Sequence, residues 1–227
     1  MQDKLNSNDG VGVALMERAA QAEAGRASGT YVVTCWEPIP EVKPEYDVAF
    51  QRYLSALERN EDITGLQQVL DAFPKQKVWE EPISNVVATV GKNLALDTIL
   101  AGSSYTVVGP YMGLISSASW SAVAAGDTMT SHSGWLEAGS TNAPTFAARG
   151  TPAWSSASAG SKSTSAAVSF TMTGSGTLKG AFLVYGSGAI TTLMSTAGTL
   201  LSAGTFTGGD QAVSSGNVVT VTYSLSI

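Results

Sequence analysis

The clearest helical period in the chain lies between residues 44 and 73. Apolar side chains recur there every three or four residues, first in a segment that begins at Pro44 and then in a shorter one that Asp62 caps and Pro74 ends. The flanking segments, YVVTCW (31–36) and KVWEEP (77–82), are rich in β-branched and aromatic residues and predict strands. We therefore predict a helical hairpin (44–73) inserted between the two strands of a β-hairpin.

From residue 84 onward the pattern changes to short β-prone runs separated by glycine and serine, after one short predicted helix at Asn93–Leu100. The last run alternates from Val219 to Ile227, with apolar residues on one face and Ser or Thr on the other. The main predicted runs are 105–115, 166–172, 177–185, 190–195 and 217–227. Short strands at this spacing predict a mainly β fold, an antiparallel sandwich or jelly-roll-like arrangement.

A weaker helical signal precedes the first strand. Asn8 or Asp9 can cap a segment that runs from about Val13 to Arg26 and is rich in Ala and Glu. It has few large apolar residues, and such a helix is marginal in water by itself. We therefore expect an α-helical N-terminal extension that is held against a partner surface.

Composition divides the chain near residue 84. Residues 1–83 contain 14 acidic and 8 basic residues, whereas residues 84–227 contain four of each sign. Glycine has the opposite distribution, 5 in the first region and 19 in the second. We predict a charged, mostly helical N-terminal extension over 1–83 and a Ser/Thr/Gly-rich β-sandwich domain over 84–227. The near absence of Lys and Glu from the polar strand faces favours contact with another protein surface.

Charge and composition exclude several classes of protein. The net charge of −6 disfavours nucleic-acid binding, and no apolar run approaches the roughly 20 residues of a membrane span. A single cysteine and a single histidine exclude an intrachain disulfide and a Cys/His zinc site within one chain. The N-terminus lacks the apolar segment of a signal peptide. We expect a soluble protein made in a reducing compartment, with no cofactor, nucleic-acid or membrane partner.

Catalytic chemistry has few candidates. Asp127, Ser131, His132 and Ser133 fall within seven residues, but the members of a Ser–His–Asp triad usually come from separate elements. A hydrogen-bonding loop is therefore the preferred interpretation, and hydrolysis through His132 remains a weak hypothesis. The glycine pairs at 174–176 and 207–209 lack the lysine of a phosphate loop and predict turns. We expect the protein not to be an enzyme.

Two other residue types have a functional and a structural interpretation. Cys35 lies in an apolar strand, which predicts a buried and unreactive thiol. Five tryptophans could form a sugar-binding platform, but their wide spacing favours packing in the core or at an interface. These tryptophans are Trp36, Trp79, Trp120, Trp135 and Trp154.

Several β segments resemble those of a family of tailed-bacteriophage virion proteins. The segments are NVVATVGKNLALDTIL (85–100), YMGLI (111–115), AGDTMTSHSGWLE (125–137), GTLKGAFLVYGS (176–187) and GTLLSAGTF…VSSGNVVTVTYSLS (198–226). YVVTCW and KVWEEPISNVV also resemble the family's opening β-hairpin, in which a short turn stands where this chain has about forty residues. The N-terminal 27 residues are a further departure, so the resemblance covers about two thirds of the chain. It implies a non-enzymatic virion component present in many copies.

Composition and resemblance together predict a capsid decoration, or cement, protein on the outside of an icosahedral head. It would bridge neighbouring subunits after synthesis in the host cytoplasm, with the major capsid protein and further copies of itself as partners, as a trimer rather than a dimer. The alternative is a tail- or fibre-associated protein that presents Trp120, Trp135 or Trp154 to a host glycan. The expected protein-interface residues are Leu15, Met16, Tyr46, Phe50, Tyr53, Leu57, Leu66, Leu70 and Phe73.

Overall fold

The computed structural model describes residues 27–100 and 108–226. Within them the chain forms ten strands, three α-helices and a short 3-10 helix at Pro40–Val42. The strands are β1 (Ser28–Pro38), β2 (Lys75–Val87), β3 (Tyr111–Ser116), β4 (Leu136–Glu137), β5 (Ser161–Ser163), β6 (Val168–Thr171), β7 (Gly176–Tyr185), β8 (Thr199–Phe206), β9 (Gln211–Val213) and β10 (Val218–Ser226). The helices are α1 (Lys43–Glu58), α2 (Thr64–Ala72) and α3 (Thr89–Leu100).

All ten strands belong to one antiparallel sheet. Its order is β4-β3-β7-β8-β2-β1-β10-β5, while β6 pairs with β10 and β9 with β7. The predicted β-hairpin is confirmed, since β1 pairs with β2 from Thr30 opposite Ser84 to Pro38 opposite Lys75. Both strands lie in the middle of the sheet, between β8 and β10. The change in composition at residue 84 therefore falls within β2 and does not coincide with a break in the sheet.

The two ends of the sheet meet through the segment that follows β4. Gly150 exchanges two backbone hydrogen bonds of 2.8 Å with Met112 of β3. On its other side it lies against β6, so close to Val168 that a Cβ at position 150 would clash with that side chain. Phe146 packs edge-on against Phe170 of β6, with ring centroids 5.2 Å apart. The sheet thus folds over one core, which confirms the predicted mainly β, sandwich-like fold.

The alternation predicted for β10 is confirmed. Val219, Val221 and Tyr223 are buried in the core over which the sheet folds, which we call the inner core, whereas Thr222, between Val221 and Tyr223, is exposed. They face inward together with the residues opposite them on β1, because directly paired residues of neighbouring strands share a face. Burial of this stripe contributes to the hydrophobic stabilisation of the inner core.

A second apolar cluster lies on the opposite face of the sheet. In β7, Ala181 and Leu183 belong to the inner core, whereas Phe182 and Val184 belong to this outer cluster. Trp135 is completely buried there, 5.2 Å from the ring of Phe182. Strands β7 and β8 are therefore covered on both faces. This is why the sequence of β8 shows no alternation and the strand was not among the predicted runs.

Helix α3 begins four residues before the predicted start at Asn93. Its first turn contains Gly91, which packs closely against the backbone of Leu201. A Cβ atom at position 91 would lie only 2.8 Å from the Leu201 carbonyl oxygen. Thr, Val and Gly are poor helix formers, so the pattern favours a later start. Close packing of this first turn against β8 compensates for their low propensity.

The predicted strand at 190–195 is wrong, because this segment forms turns. Its backbone groups are bound by a buried ion pair between Arg149 and Glu137 instead of by a neighbouring strand. The guanidinium donates to the carbonyl oxygens of Ser195 (2.7 Å) and Ile190 (3.3 Å), and Glu137 accepts from the backbone N–H of Met194 (2.8 Å).

The inserted helical hairpin is confirmed as α1 and α2. Pro44 lies in the first turn of α1, and the carboxylate of Asp62 accepts a hydrogen bond of 2.9 Å from the backbone N–H of Thr64 at the start of α2. Helix α2 ends at Ala72, two residues before Pro74. The predicted N-terminal helix, with Leu15 and Met16, lies outside the described residues.

Candidate interaction surfaces

The cluster of Asp127 and His132 organises a loop. The Asp127 carboxylate accepts hydrogen bonds of 2.9 Å from the Trp135 indole N–H and from the backbone N–H of Ala124. His132 Nδ1 lies 3.0 Å from the carbonyl oxygen of Trp135, and its ring stacks on that indole at 4.0 Å. The carboxylate therefore orients Trp135 and not the imidazole, which is the arrangement of a packed loop and not of a Ser–His–Asp triad.

The described part of the chain offers little for metal or thiol chemistry. No group of three His, Cys, Asp or Glu side chains in it could hold a metal ion. Cys35 is fully buried in β1, as predicted, and burial together with the nearby charge of Glu37 raises the pKa of its thiol to about 12. The thiol is therefore protonated and unreactive at neutral pH. None of the helices within 27–100 and 108–226 is long and apolar enough to span a membrane.

The tryptophans do not form one platform. Trp135 is completely buried, so it cannot be presented to a glycan, and this part of the alternative hypothesis is corrected. Trp120 is half-buried against the outer cluster and faces the ammonium group of Lys179 at 5.3 Å. Trp154 packs on the inner core, edge-on to Tyr223 at 6.2 Å. The two half-buried indoles thus lie against opposite faces of the sheet.

The ion pair of Arg149 and Glu137 was not found from the sequence. Both N–H···O distances are 2.7 Å, and the two side chains are 0% and 4% exposed. Because both ions also bond to loop backbone, their polar groups are satisfied inside the fold. The sequence does contain one relevant signal. Residues 84–227 have only eight charged residues, and two of opposite charge, Glu137 and Arg149, lie twelve positions apart. Their role in the structure is to hold the loop before β8.

The predicted contact residues of the hairpin mostly face its own interior. They share one apolar cluster, in which Tyr46, Phe50, Tyr53 and Leu70 are buried and Leu57, Leu66 and Phe73 are half-buried. Since the four buried side chains are at most 6% exposed, they offer almost no surface to another protein. A contact made by the hairpin must therefore use the half-buried members of the cluster or other, exposed residues of the two helices.

Specific hydrogen bonds hold the hairpin against the sheet. The Tyr46 hydroxyl donates to the carbonyl oxygen of Gly216 (2.7 Å), and Gln67 exchanges two hydrogen bonds with the buried hydroxyl of Thr171 in β6 (2.7 and 2.9 Å). The Lys75 ammonium donates to carbonyl oxygens at the end of α2, including that of Leu70 at 2.7 Å. These contacts attach the hairpin to the sheet.

The outside of the hairpin carries two exposed valines among charged residues. Val48 of α1 is 57% exposed and Val69 of α2 is 49% exposed. Asp47 beside Val48 forms an ion pair with Lys43 at 3.0 Å, and Arg52 one turn further along α1 is exposed. We refer to Val48, Val69 and these charged neighbours as the hairpin outer face.

A second exposed surface is uncharged. It lies on β1, β2 and β10, on the side away from the inner core, and its rows follow the strand register. We refer to it as the sheet outer face; it consists of the exposed residues Thr30, Val32, Pro82, Ser84, Val86 and Thr222 and the half-buried Ser224. In the sequence, Thr30 and Thr34 flank Val32 at two-residue spacing, so the period of a strand places Val32 on their face and Tyr31 and Val33 on the other, and this pattern could have identified the surface. At one end this surface meets Glu80, which accepts a hydrogen bond from Thr34.

Comparisons with known proteins give no match. No family model matches the chain, and neither a search of curated proteins nor a search of solved structures finds a similar one. Function is therefore inferred from the two outer faces and from the sequence segments quoted above.

Proposed function

We propose that this protein is a bacteriophage capsid decoration protein, which binds the outside of the icosahedral head and stabilises it by bridging neighbouring subunits. The observation that carries this proposal is the contrast between two exposed surfaces, the uncharged sheet outer face and the charged hairpin outer face. The resemblance of the β segments to phage virion proteins supports it. The proposed partners are the major capsid protein and further copies of this chain, and the proposed role is structural and not enzymatic.

The sheet outer face is proposed as the contact between copies of the chain. Interface cores are depleted of charged residues, and this face carries hydroxyl, valine and proline side chains without a charge. Val32 lies between Pro82 and Thr222 in one row across three strands, which gives the face an apolar centre. Hydroxyl groups around that centre can form hydrogen bonds across a closed symmetric contact, for which a trimer is proposed.

The hairpin outer face is proposed as the contact with the shell. The hairpin connects β1 and β2, two strands in the middle of the sheet, and its hydrogen bonds to Gly216 and Thr171 attach it to the β fold. Val48 and Val69 supply apolar contacts, and the surrounding charges supply specificity. A protein that binds only the assembled lattice stabilises that lattice by its binding free energy at every occupied site.

The proposal is tested on particles from which this protein has been removed. Such particles should release DNA at a lower temperature, and adding back the purified wild-type protein should restore the original release temperature. The Val48→Asp/Val69→Asp variant should fail to restore it, whereas Thr98→Asp, at an exposed position of α3, should restore it as the wild type does. An unchanged release temperature in stripped particles would refute the proposal.

Copy number separates this role from the competing one in the tail. A decoration protein is present in a fixed ratio to the major capsid protein over the whole head, whereas a fibre-associated protein occurs in a few copies near one vertex. Glycan binding that is lost in Trp154→Ala, with its half-buried indole, would support the tail role.

A further inference from the structure

The inner core opens at one end into an apolar cavity. The cavity has a volume of about 360 Å³, within the roughly 300–1,000 Å³ range of sites that take a ligand or several side chains. Its apolar wall is formed mainly by Pro110, Trp154, Tyr185, Leu201, Tyr223 and Leu225. Ala95 of α3 closes one side, and Lys162 is the one charged residue among the described residues that line it.

The described chain begins at the rim of this cavity. Gly29 pairs with Leu225, which lines the cavity, and Ser28 pairs with Ser226. Ala27, the first described residue, packs against the inner core. The 26 residues that precede it are therefore attached to the fold beside the cavity.

We propose that the cavity is the docking site of the chain's own N-terminal segment, with Leu15 and Met16 as the side chains that enter it. They are adjacent large apolar residues in a predicted helix that is marginal without a packing surface. Ten residues separate Met16 from Ala27, and as a helix they span about 15 Å. Gly25, near the end of this stretch, allows the chain to reverse direction before β1.

Two further observations fit this occupant. Leu96, which follows Ala95 on α3, is 53% exposed, so this helix has a large apolar side chain that the described residues do not cover. Glu17 directly follows Met16, so a docked segment can place its carboxylate beside Lys162 at the rim. Charge complementarity therefore supplements the apolar contact.

The attachment point favours docking within one chain. A segment tethered beside its site has a high effective concentration there and outcompetes the same segment of another copy. The sequence alone predicted that Leu15 and Met16 contact a partner protein, whereas the cavity gives them a contact inside the chain. This inference does not depend on where in the virion the protein is located.

Limited trypsin digestion of the full chain tests the proposal with variants of the N-terminal segment. Arg18 lies in the proposed docked helix, and Lys4 precedes it and reports the rate at an undocked site of the same molecule. Cleavage after Arg18, relative to Lys4, should be about tenfold faster in Leu15→Ser/Met16→Ser than in the wild type, since proteolysis follows the population of the opened state. Equal relative rates in the two proteins would overturn the proposal.

A second variant tests the proposal by changing a residue that lines the cavity. Ala95→Phe should fill the cavity and accelerate cleavage after Arg18, whereas Asn93→Phe, at an exposed position of the same helix that does not line the cavity, should not. Identical behaviour of these two variants would contradict the proposal. Protection of Arg18 that disappears on hundredfold dilution would place the segment in a neighbouring copy and would overturn docking within one chain.

Discussion

The helical hairpin and the sheet both bury an apolar face, but the polar surfaces that they expose differ in charge. The hairpin encloses a small aromatic cluster and exposes charges such as Asp47 and Arg52. The sheet outer face exposes hydroxyl groups and valines on β1, β2 and β10, exposed charges such as Lys77 and Glu80 lie at the end of β2 nearest the hairpin, and Arg149 and Glu137 lie inside. A charged surface is stable in water by itself, whereas an uncharged, partly apolar one is suited to being covered. The change in composition at residue 84 therefore does not mark a boundary in the sheet, because residues from both sides of it form the sheet outer face.

The largest expected effect concerns the buried ion pair of the sheet. Arg149→Met should lower the free energy of unfolding by about 3–5 kcal/mol, because it leaves the Glu137 carboxylate buried without its partner. Replacing both residues, as in Glu137→Leu/Arg149→Met, should cost less than the single change. Chemical denaturation measures all of these values.

A surface pair is the matched control for that comparison. Lys77 and Glu80 are 3.5 Å apart with side chains about half exposed, so Lys77→Met should change the free energy of unfolding by about 0–1 kcal/mol. An equal effect at the buried and the surface pair would contradict the importance assigned to the buried one.

The next effect concerns the interior of the hairpin. Leu70 is completely buried, so Leu70→Ala should lower the free energy of unfolding by about 2–5 kcal/mol. Its neighbour Val69 is 49% exposed, so Val69→Ala should change it by less than about 0.5 kcal/mol. If both changes were neutral in the isolated protein, Leu70 would be a partner contact after all.

A smaller effect concerns the attachment of the hairpin to the sheet. Tyr46→Phe removes the hydrogen bond to the carbonyl oxygen of Gly216 and should cost about 0.5–1.5 kcal/mol. Hydrogen exchange should become faster in α1 and α2 but remain slow in β1 and β10. Uniform acceleration throughout the chain would show that hairpin and sheet unfold as one unit.

The effect that is smallest at neutral pH develops only in alkaline solution. Burial raises the pKa of the Cys35 thiol in the sheet from 9.0 to about 12, and that of the Tyr53 hydroxyl in the hairpin from 10.0 to about 12. Because the folded state holds each proton more tightly, each contribution to stability is complete below the ordinary pKa and is lost as the pH rises toward 12. Stability should therefore begin to decline near pH 9, and Cys35→Ala should remove this first part of the decline. An identical pH profile for the variant would contradict it.

Elements with a local period could be predicted from the sequence. The hairpin and β10 show the 3.6-residue and two-residue patterns because each has one buried and one exposed face. Strand β8 is covered on both faces and the segment 190–195 bonds to Arg149, so neither follows a local pattern. The central position of β1 and β2 depends on pairing with strands more than a hundred residues away, which composition does not encode.

The candidate surfaces were predictable only in part. The hydroxyl-rich face of β10 follows from alternation, and the same reasoning applied to β1 separates exposed Val32 from buried Val33. The apolar period of the hairpin predicts which residues make contacts, but it identifies only the buried face of an amphipathic helix and not the partner of that face. Tyr46 and Leu70 show this, since the partner of each lies within the chain.

The central claim is the proposed role as a decoration protein on the head. Its most direct test is to image intact particles labelled on this chain and to determine the number and position of its copies. We predict labelling over the whole head, in a constant ratio to the major capsid protein, and its loss from the head in the Val48→Asp/Val69→Asp variant. Labelling confined to one vertex, or its absence from assembled particles, would contradict the claim.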